Sequence, residues 1–217
     1  DAIRQRLLAI LSQLQQRGTG GRRLEGVLIG LPNAGKSSLF NALLNESRVI
    51  VSATAGTTRD AISATVESEG LTFQLTDTAG IEELHDDSPR GLAQLMLSER
   101  IQRADLLVYC VDASQGVDVE QLHRELNQFK ASGKRLLCIG TKADAVQAAQ
   151  VFQAPTQAAQ QSKPSLVWDA LVSVHHQDSV VELRSQLARV LGELRASTMA
   201  EALQHTAARC SVGIDRA

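Results

Sequence analysis

The sequence predicts an α/β protein with a doubly wound, mostly parallel sheet and helices on both of its faces. Short apolar runs at residues 27–29, 106–111 and 136–139 are typical of strands that are buried on both faces. Segments with apolar residues at helical spacing lie at about 92–103 and 118–131. Strands that alternate with helices favour parallel pairing through crossover connections.

The composition is that of a folded domain rather than a charged tail. The chain has 217 residues, 43% of them apolar and 21% charged, with a net charge of −2. This apolar fraction can bury a core, which excludes a disordered chain, and the small net charge excludes nucleic-acid binding by bulk charge alone. One Trp, one Tyr and four Phe are too few for base-stacking platforms.

Cysteine usage and hydropathy indicate the compartment. Three widely spaced cysteines, Cys110, Cys138 and Cys210, form neither a disulfide framework nor a zinc-site pattern, and they suit a reducing environment. No apolar run approaches the roughly 20 residues that span a bilayer, and no signal-peptide pattern opens the chain. We therefore expect a cytoplasmic protein with no membrane partner.

The first half of the chain adds two helices and a hairpin to the predicted strands. Residues 1–17 carry apolar residues on one helical face, and a second helix is expected from Ser37 to about Leu44. Residues 61–67 and 71–76 alternate or run apolar around Ser-Glu-Gly, which indicates a β-hairpin.

The second half ends in helices. Residues 145–165 are rich in Ala and Gln and predict a surface excursion. Residues 171–174 predict a weak last strand, and an amphipathic helix follows at about 179–194. A separate helix is expected at 197–210, capped by a Ser-Thr pair.

Residues 30–37 form a complete phosphate-binding motif. They read Gly-Leu-Pro-Asn-Ala-Gly-Lys-Ser, the GxxxxGK[ST] pattern, between a predicted strand and a predicted helix. The glycines let the backbone wrap around phosphate, and the N–H groups at the helix start face the anion. Lys36 would reach the β- and γ-phosphates, and the Ser37 hydroxyl would bind Mg²⁺. The expected contacts of this P-loop are Gly30, Asn33, Ala34, Gly35, Lys36, Ser37 and Ser38.

A second motif, Asp-Thr-Ala-Gly at residues 77–80, follows an apolar strand. An acidic residue at a strand end beside the P-loop suits the surroundings of the Mg²⁺ ion, so Asp77 is expected to serve that metal. The N–H of Gly80 can contact a γ-phosphate only when one is present. Alone, the same pattern is also a common turn.

A third motif, Thr-Lys-Ala-Asp at residues 141–144, indicates a guanine site. The carboxylate of Asp144 can accept hydrogen bonds from N1–H and N2–H₂ of guanine, whereas adenine has a lone pair at N1 and would be repelled. The site would therefore select GTP over ATP. The same four-residue pattern also occurs in ordinary loops that contain Lys and Asp. The order of the three motifs along the chain nevertheless favours the functional interpretation. The loop that contains Ser173 and Val174 is expected to lie against the base.

With residues 55–60 (Ala-Gly-Thr-Thr-Arg-Asp), these motifs resemble the G domain of the tRNA-modification GTPase family MnmE, also called TrmE. Era and EngA GTPases share Asn33 and the 55–60 segment. The amphipathic helix predicted upstream of the P-loop favours MnmE, because the G domain of that family is inserted within a helical domain. The resemblance covers residues 1–144 well and the rest loosely.

The resemblance implies a division of the chain into three segments. Residues 1–23 would be the N-terminal helix of an interrupted helical domain, residues 24–195 the GTP-binding G domain, and residues 196–217 the start of the returning helical segment. We therefore expect the chain to be a segment of a longer protein, which its first residue, Asp1, and its abrupt end would fit.

The resemblance also implies hydrolysis of GTP to GDP with Mg²⁺ and K⁺. In the family a bound K⁺ replaces an arginine finger. Asn33 matches the asparagine that helps to ligate it, and backbone carbonyls of residues 52–57 supply other ligands. The alternative is that Asn33 is only a turn residue. Thr58 matches the switch threonine that binds Mg²⁺. The residues expected to act in catalysis are Lys36, Asn33, Thr58 and Gly80. Those expected to bind the nucleotide beyond the P-loop are Thr57, Thr58, Asp77, Gly80, Thr141, Lys142, Asp144, Ser173 and Val174. Mg²⁺ is expected to be bound by Ser37, Thr58 and Asp77, and K⁺ by Asn33.

The sequence departs from the Ras-like pattern at one position and from the family pattern at two. Ile81 stands where Ras-like switches have a water-orienting glutamine, and it can neither polarise water nor transfer a proton. The family's switch II glutamate, a dozen residues past Asp77, falls on Pro89, so we expect slow or partner-dependent hydrolysis. Thr141 replaces the family's usual asparagine; its hydroxyl cannot bridge as far, and selectivity should persist through Asp144.

The resemblance implies partners as well as chemistry. They are a second G domain in a nucleotide-dependent homodimer, the flavoprotein MnmG for the full-length protein, and tRNA held by other domains. Two alternatives stay open: a ribosome-assembly GTPase of the Era or EngA kind, and a GTP-dependent dimerisation switch with weak hydrolysis.

Overall fold

The computed structural model describes residues 23–45, 62–79, 90–115, 117–145 and 168–214, without the side chains of 90–93 and 201–214. The helix expected at 1–17 and nearly all of the excursion expected at 145–165 lie outside the described residues. The strands are β1 (Glu25–Gly30), β2 (Ile62–Ser68), β3 (Leu71–Asp77), β4 (Leu106–Asp112), β5 (Arg135–Thr141) and β6 (Ala170–Leu171). The helices are α1 (Lys36–Asn45), α2 (Arg90–Arg103), α3 (Val119–Ala131) and α4 (Gln177–Ile214), with a 3₁₀ turn at Ala143–Ala145.

These strands form one six-stranded sheet in the order β2-β3-β1-β4-β5-β6. The hairpin strands β2 and β3 are antiparallel, and the other neighbouring pairs are parallel. The chain passes from β1 to the β2–β3 side and returns to β4 on the other side. The carboxyl end of β1 is therefore the switch point of the sheet, where open α/β sheets bind ligands. The predicted doubly wound class is confirmed.

Two apolar layers hold the helices against the sheet. Leu28 and Val108 face one layer, with α1 and α4, while Val27 and Leu107 face the other, with α2 and α3. All four are fully buried. Because successive side chains of a strand point to opposite faces, a strand covered on both sides must be apolar at consecutive positions. This requirement explains why the parallel strands read as unbroken apolar runs.

The last strand is shorter than the sequence predicts. β6 comprises Ala170 and Leu171 instead of residues 171–174. The N–H of Val172 still donates to the carbonyl of Gly140 at 2.8 Å, but Ser173 then begins a turn in which its carbonyl accepts from the N–H of His176. The apolar side chains at 172 and 174 therefore mark a strand end and a loop rather than a continuing strand.

The two C-terminal helices predicted from sequence are one helix. α4 runs for 38 residues and begins at Gln177. The expected cap at residues 197–198 is wrong: the Ser197 hydroxyl donates to the Leu194 carbonyl at 3.0 Å, and the Thr198 hydroxyl donates to the same carbonyl at 2.9 Å. Hydroxyls that bond back to the preceding turn occur inside helices, whereas a cap accepts from the N–H groups that follow it.

No helix in the described part of the chain is long and apolar enough to cross a membrane.

Candidate nucleotide-binding site

The P-loop leaves β1 through a glycine that no other residue could replace without strain. Gly30 has φ +142°, and a Cβ there would lie 2.2 Å from the carbonyl oxygen of Cys110 on β4. Gly35, at φ +82°, lies so close to Thr141 that a Cβ would be 3.3 Å from the threonine Oγ1. Both glycines of the motif therefore serve close approaches within the protein, to the β4 backbone and to the Thr141 side chain, and their contact with phosphate stays a prediction.

Asn33 lies at the turn of this loop with φ 62° and an exposed side chain. Asparagine is one of the few residues that adopt the left-handed conformation at little cost. This geometry fits the turn interpretation of Asn33. It also leaves the amide at the mouth of the cavity described below, so the proposed cation role stays a prediction.

Lys36 begins α1, and its side chain is almost completely buried along the loop. Its Nζ donates to the carbonyls of Gly30 at 2.9 Å and Leu31 at 2.8 Å. The ammonium thus lies inside the loop that a phosphate would fill. The hydroxyls of Ser37 and Ser38 follow on the exposed first turn of the helix. An anion here would meet a cation and a helix N-terminus together.

Asp77 ends β3 beside β1, with only 3% of its surface exposed. Its Oδ1 accepts from the N–H of Ala79 at 3.1 Å, and the Thr78 hydroxyl donates to the carbonyl of Leu28 at 2.8 Å. These bonds fix the segment against the P-loop strand.

One cavity of about 500 Å³ joins the motifs. It is lined by Pro32, Asn33, Gly35, Lys36, Ser37, Ser38, Ala79 and Lys142. The sequence places these residues in three separate motifs, and the sheet brings them together because β1, β3 and β5 end at the same edge.

The donor set near this cavity suits Mg²⁺ held mainly by a nucleotide. Among the described residues, no group of three or more His, Cys, Asp and Glu side chains is placed to hold a metal. Mg²⁺ usually takes one or two protein oxygens, with phosphates and waters completing its octahedron. The Ser37 hydroxyl and the Asp77 carboxylate fit that limited role.

Thr141, the last residue of β5, is buried and bonded within the protein. Its hydroxyl points to the carbonyls of Ala34 at 2.6 Å and Val111 at 3.0 Å. The shorter contact joins the end of β5 to the P-loop, 107 residues away in sequence.

Lys142 is held by Asp112, a residue outside the three sequence motifs. Its Nζ forms an ion pair with Asp112 Oδ2 at 2.6 Å, and its backbone is left-handed, with φ 55°. Burial alone would raise the pKa of Asp112, but hydrogen bonds from Lys142 and Ser114 outweigh it and hold that pKa below its usual value. The sequence does contain a signal for this role, because Asp112, like Asp77, directly follows an apolar run.

Asp144 contacts the loop after β6, while the predicted contacts of both with a base stay predictions. The Ser173 hydroxyl donates to Asp144 Oδ1 at 2.5 Å, and this bond lowers the pKa of the exposed carboxyl group. Ser173 is buried, while Val174 is 38% exposed beside it. The arrangement presents an ionised, oriented carboxylate at the edge where a base would enter.

The remaining predicted site residues lie outside the described residues. These are Thr57, Thr58, Gly80, Ile81, Pro89 and the carbonyl-bearing segment 52–57.

The fold and the assembled motifs define a P-loop GTPase domain. Residues 25–142 match the model of the 50S ribosome-binding GTPase family, and the chain belongs to that family. It is therefore a GTP-binding protein that hydrolyses GTP.

The resemblance to MnmE is confirmed by curated relatives. The chain is 41% identical over 151 residues to the tRNA modification GTPase MnmE of Rhodopirellula baltica, which covers 66% of this chain and 32% of that protein. It is 45% identical over 112 residues to the MnmE of Aquifex aeolicus, covering 50% of this chain and 25% of that protein. The chain thus spans about a third or less of the length of these relatives.

A solved structure supports the fold alone. The cytosolic domain of the T. maritima FeoB iron transporter, in its GMPPNP form, matches with a TM-score of 0.53 at 20% identity. The match covers 80% of this chain and 64% of that one.

Proposed function

We propose that this chain is the nucleotide-driven G domain of a cytoplasmic, MnmE-type GTPase that acts in tRNA modification. The observation that carries the proposal is the 41% identity to an MnmE protein over 151 residues. In the full-length protein, this domain would drive a reaction on tRNA held by other domains, together with the flavoprotein MnmG. Residues 1–23 and 196–217 would belong to the helical domain that flanks it.

In the proposed cycle, GTP binds with its phosphates in the P-loop. Lys36 moves from the carbonyls of Gly30 and Leu31 to the phosphate oxygens, since an ammonium bonds more strongly to an anion than to neutral carbonyls. The Ser37 hydroxyl and Thr58 would hold Mg²⁺ against the phosphates, with Asp77 beside it. Loss of the γ-phosphate would release Thr58 and Gly80 together.

A bound K⁺ would assist hydrolysis by neutralising the charge that develops between the phosphates. Asn33 is the proposed side-chain ligand, because its exposed amide lies on the loop beside the cavity. Two G domains would pair in a nucleotide-dependent homodimer.

The test compares GTP hydrolysis in KCl and NaCl, with sedimentation in GDP and aluminium fluoride. We expect faster turnover and a dimer in KCl. Asn33→Gly keeps the left-handed backbone but removes the ligand, so it should lose the K⁺ effect while binding GDP normally. Asn33→Asp retains an oxygen and should keep part of the effect. Equal rates of GTP hydrolysis in both salts, with no dimer, would contradict the proposed role of Asn33 in binding K⁺.

A GTP-dependent dimerisation switch with weak hydrolysis is the second candidate. Pro89 favours it, because it stands where the family's water-orienting glutamate is expected. Dimers in KCl, with GTP turnover that stays slow in both salts, would select this candidate. The Era-type alternative is less well supported, because the curated relatives quoted above are MnmE proteins.

Guanine selection is proposed to rest on Asp144. Asp144→Asn replaces an acceptor-only group by one that also donates, which matches the O2 of xanthine rather than the N2 amine of guanine. We expect GDP binding to weaken by about a hundredfold and XDP binding to strengthen, as measured by competition. Asp178→Asn, an exposed acid at the start of α4, is the matched control. An unchanged preference for GDP would contradict the assignment.

A further inference from the structure

Thr141 occupies the point where the guanine motif meets the P-loop. It is only 4% exposed, and its hydroxyl has carbonyl oxygens of two other elements within 3.0 Å, Ala34 in the P-loop and Val111 in β4. The close approach of Gly35 to the same hydroxyl shows that the loop packs directly on this side chain.

A hydroxyl carries one hydrogen, and here both neighbouring carbonyls compete for it. The hydroxyl therefore has no donor left for a ligand. If Asp144 accepts from N1–H and N2–H₂ of guanine, the atoms of the base still to be satisfied include O6 and N7, and both are acceptors. Thr141 can offer them nothing.

We propose that Thr141 is a positioning residue that fastens the P-loop to the end of β5 and does not read the base. The protein therefore accepts guanine nucleotides that lack the N7 acceptor. Asp144 thus selects the Watson–Crick edge of guanine, whereas Thr141 holds the loop that binds phosphate. The inference rests on the proposed recognition of guanine by Asp144.

The first experiment needs no substitution. Competition with a fluorescent GDP analogue measures the affinities of GTP, 7-deaza-GTP and ITP for the full chain. We expect 7-deaza-GTP to match GTP within about twofold, since Thr141 makes no hydrogen bond to N7 that could be lost. A preference for GTP over 7-deaza-GTP of about fivefold or more would overturn the inference.

The ITP measurement separates this inference from the proposed function. ITP lacks the N2 amine, so an Asp144 site should bind it about tenfold or more weakly than GTP. Equal binding of ITP and GTP would overturn recognition by Asp144, whatever 7-deaza-GTP does. Weaker ITP binding beside equal 7-deaza-GTP binding supports both assignments.

Substitutions at position 141 test the tether itself. Thr141→Val has nearly the same shape but leaves the carbonyls of Ala34 and Val111 without this donor. GTP and GDP should therefore both bind about tenfold more weakly, with an unchanged ratio of GTP to 7-deaza-GTP affinity. Thr141→Ser keeps the hydroxyl and should bind nearly as the wild type does. Wild-type affinity in Thr141→Val would overturn the tether.

Thr141→Asn provides a gain-of-function test. An amide has two N–H donors, so it can hold the Ala34 carbonyl and still donate to N7. This variant should gain a preference of about fivefold for GTP over 7-deaza-GTP. If Thr141→Asn binds GTP and 7-deaza-GTP equally well, the explanation that position 141 lacks a donor for N7 is overturned, because an additional donor would then make no difference.

Discussion

Single side chains at the carboxyl edge of the sheet are fixed by partners from distant parts of the chain. Thr141 is held by the P-loop and β4, Lys142 by Asp112, and Asp144 by Ser173. Each of these contacts orients a polar group at the edge where the nucleotide is proposed to bind. Such preorganisation lowers the cost of ordering these groups on binding.

Asp112 gives a prediction about pH. Its folded pKa is lowered, so the Asp112–Lys142 pair stabilises the fold above the ordinary carboxyl value of 3.8 and loses that effect as pH falls through the folded value. Asp112→Asn should therefore destabilise the protein at pH 7, with a deficit that shrinks below about pH 4. Urea unfolding of both proteins from pH 7 to 3.5 measures this, with Asp178→Asn as the control. A deficit that grows on acidification would refute it.

At the scale of elements, the end of β1 is the most constrained position. Gly30→Ala would place a methyl carbon 2.2 Å from the backbone oxygen of Cys110, and neither strand can move without disturbing the sheet. We expect a loss of about 3 kcal/mol or more in the free energy of unfolding, together with loss of nucleotide binding.

Gly133→Ala is the control for this substitution. Gly133 also has positive φ, at +74°, but a Cβ there would meet nothing within 4 Å. It should cost only the backbone strain of about 1–2 kcal/mol. Urea denaturation of both variants distinguishes the steric clash with β4 from backbone strain. Equal losses in the free energy of unfolding would show that the contact with β4 is unimportant.

The continuity of α4 gives a second prediction at this scale. If Ser197 capped a new helix, Thr198→Pro would fall at the first helical position, where proline is tolerated. Within the observed helix, proline removes a backbone hydrogen bond and should cost about 3 kcal/mol. Thr198→Ala should be nearly neutral. Circular dichroism and urea unfolding distinguish the cases, and a harmless proline would contradict a continuous helix.

At the scale of the whole molecule, nucleotide binding should stabilise the fold, because the site joins the ends of β1, β3 and β5 and the loop after β6. GDP with Mg²⁺ at 100 times its dissociation constant should add about 2.7 kcal/mol, or roughly 5–10 °C in melting temperature. ATP at the same concentration should add little. Lys36→Ala should lose the GDP effect in thermal melting. A melting temperature indifferent to GDP would argue against a formed site.

Much of the fold was predictable because its signals are local. Unbroken apolar runs mark strands covered on both faces, and Ser-Glu-Gly marks the hairpin between β2 and β3. The failures occurred where local signals compete: residues 171–174 are apolar enough for a strand, but the chain turns at Ser173. Residues 197–198 resemble a cap, but their hydroxyls bond backwards within α4.

The sequence by itself determined the chemical groups of this protein: the P-loop pattern, a carboxylate after β3 and a guanine motif after β5. These depend on residue type and short spacing, which the chain records directly. Only the tertiary structure decided that Asp112 holds Lys142, that Ser173 holds Asp144 and that the Thr141 hydroxyl donates to the P-loop. Those contacts join residues 29 to 107 positions apart. They depend on strand order and register, which no short-range pattern contains.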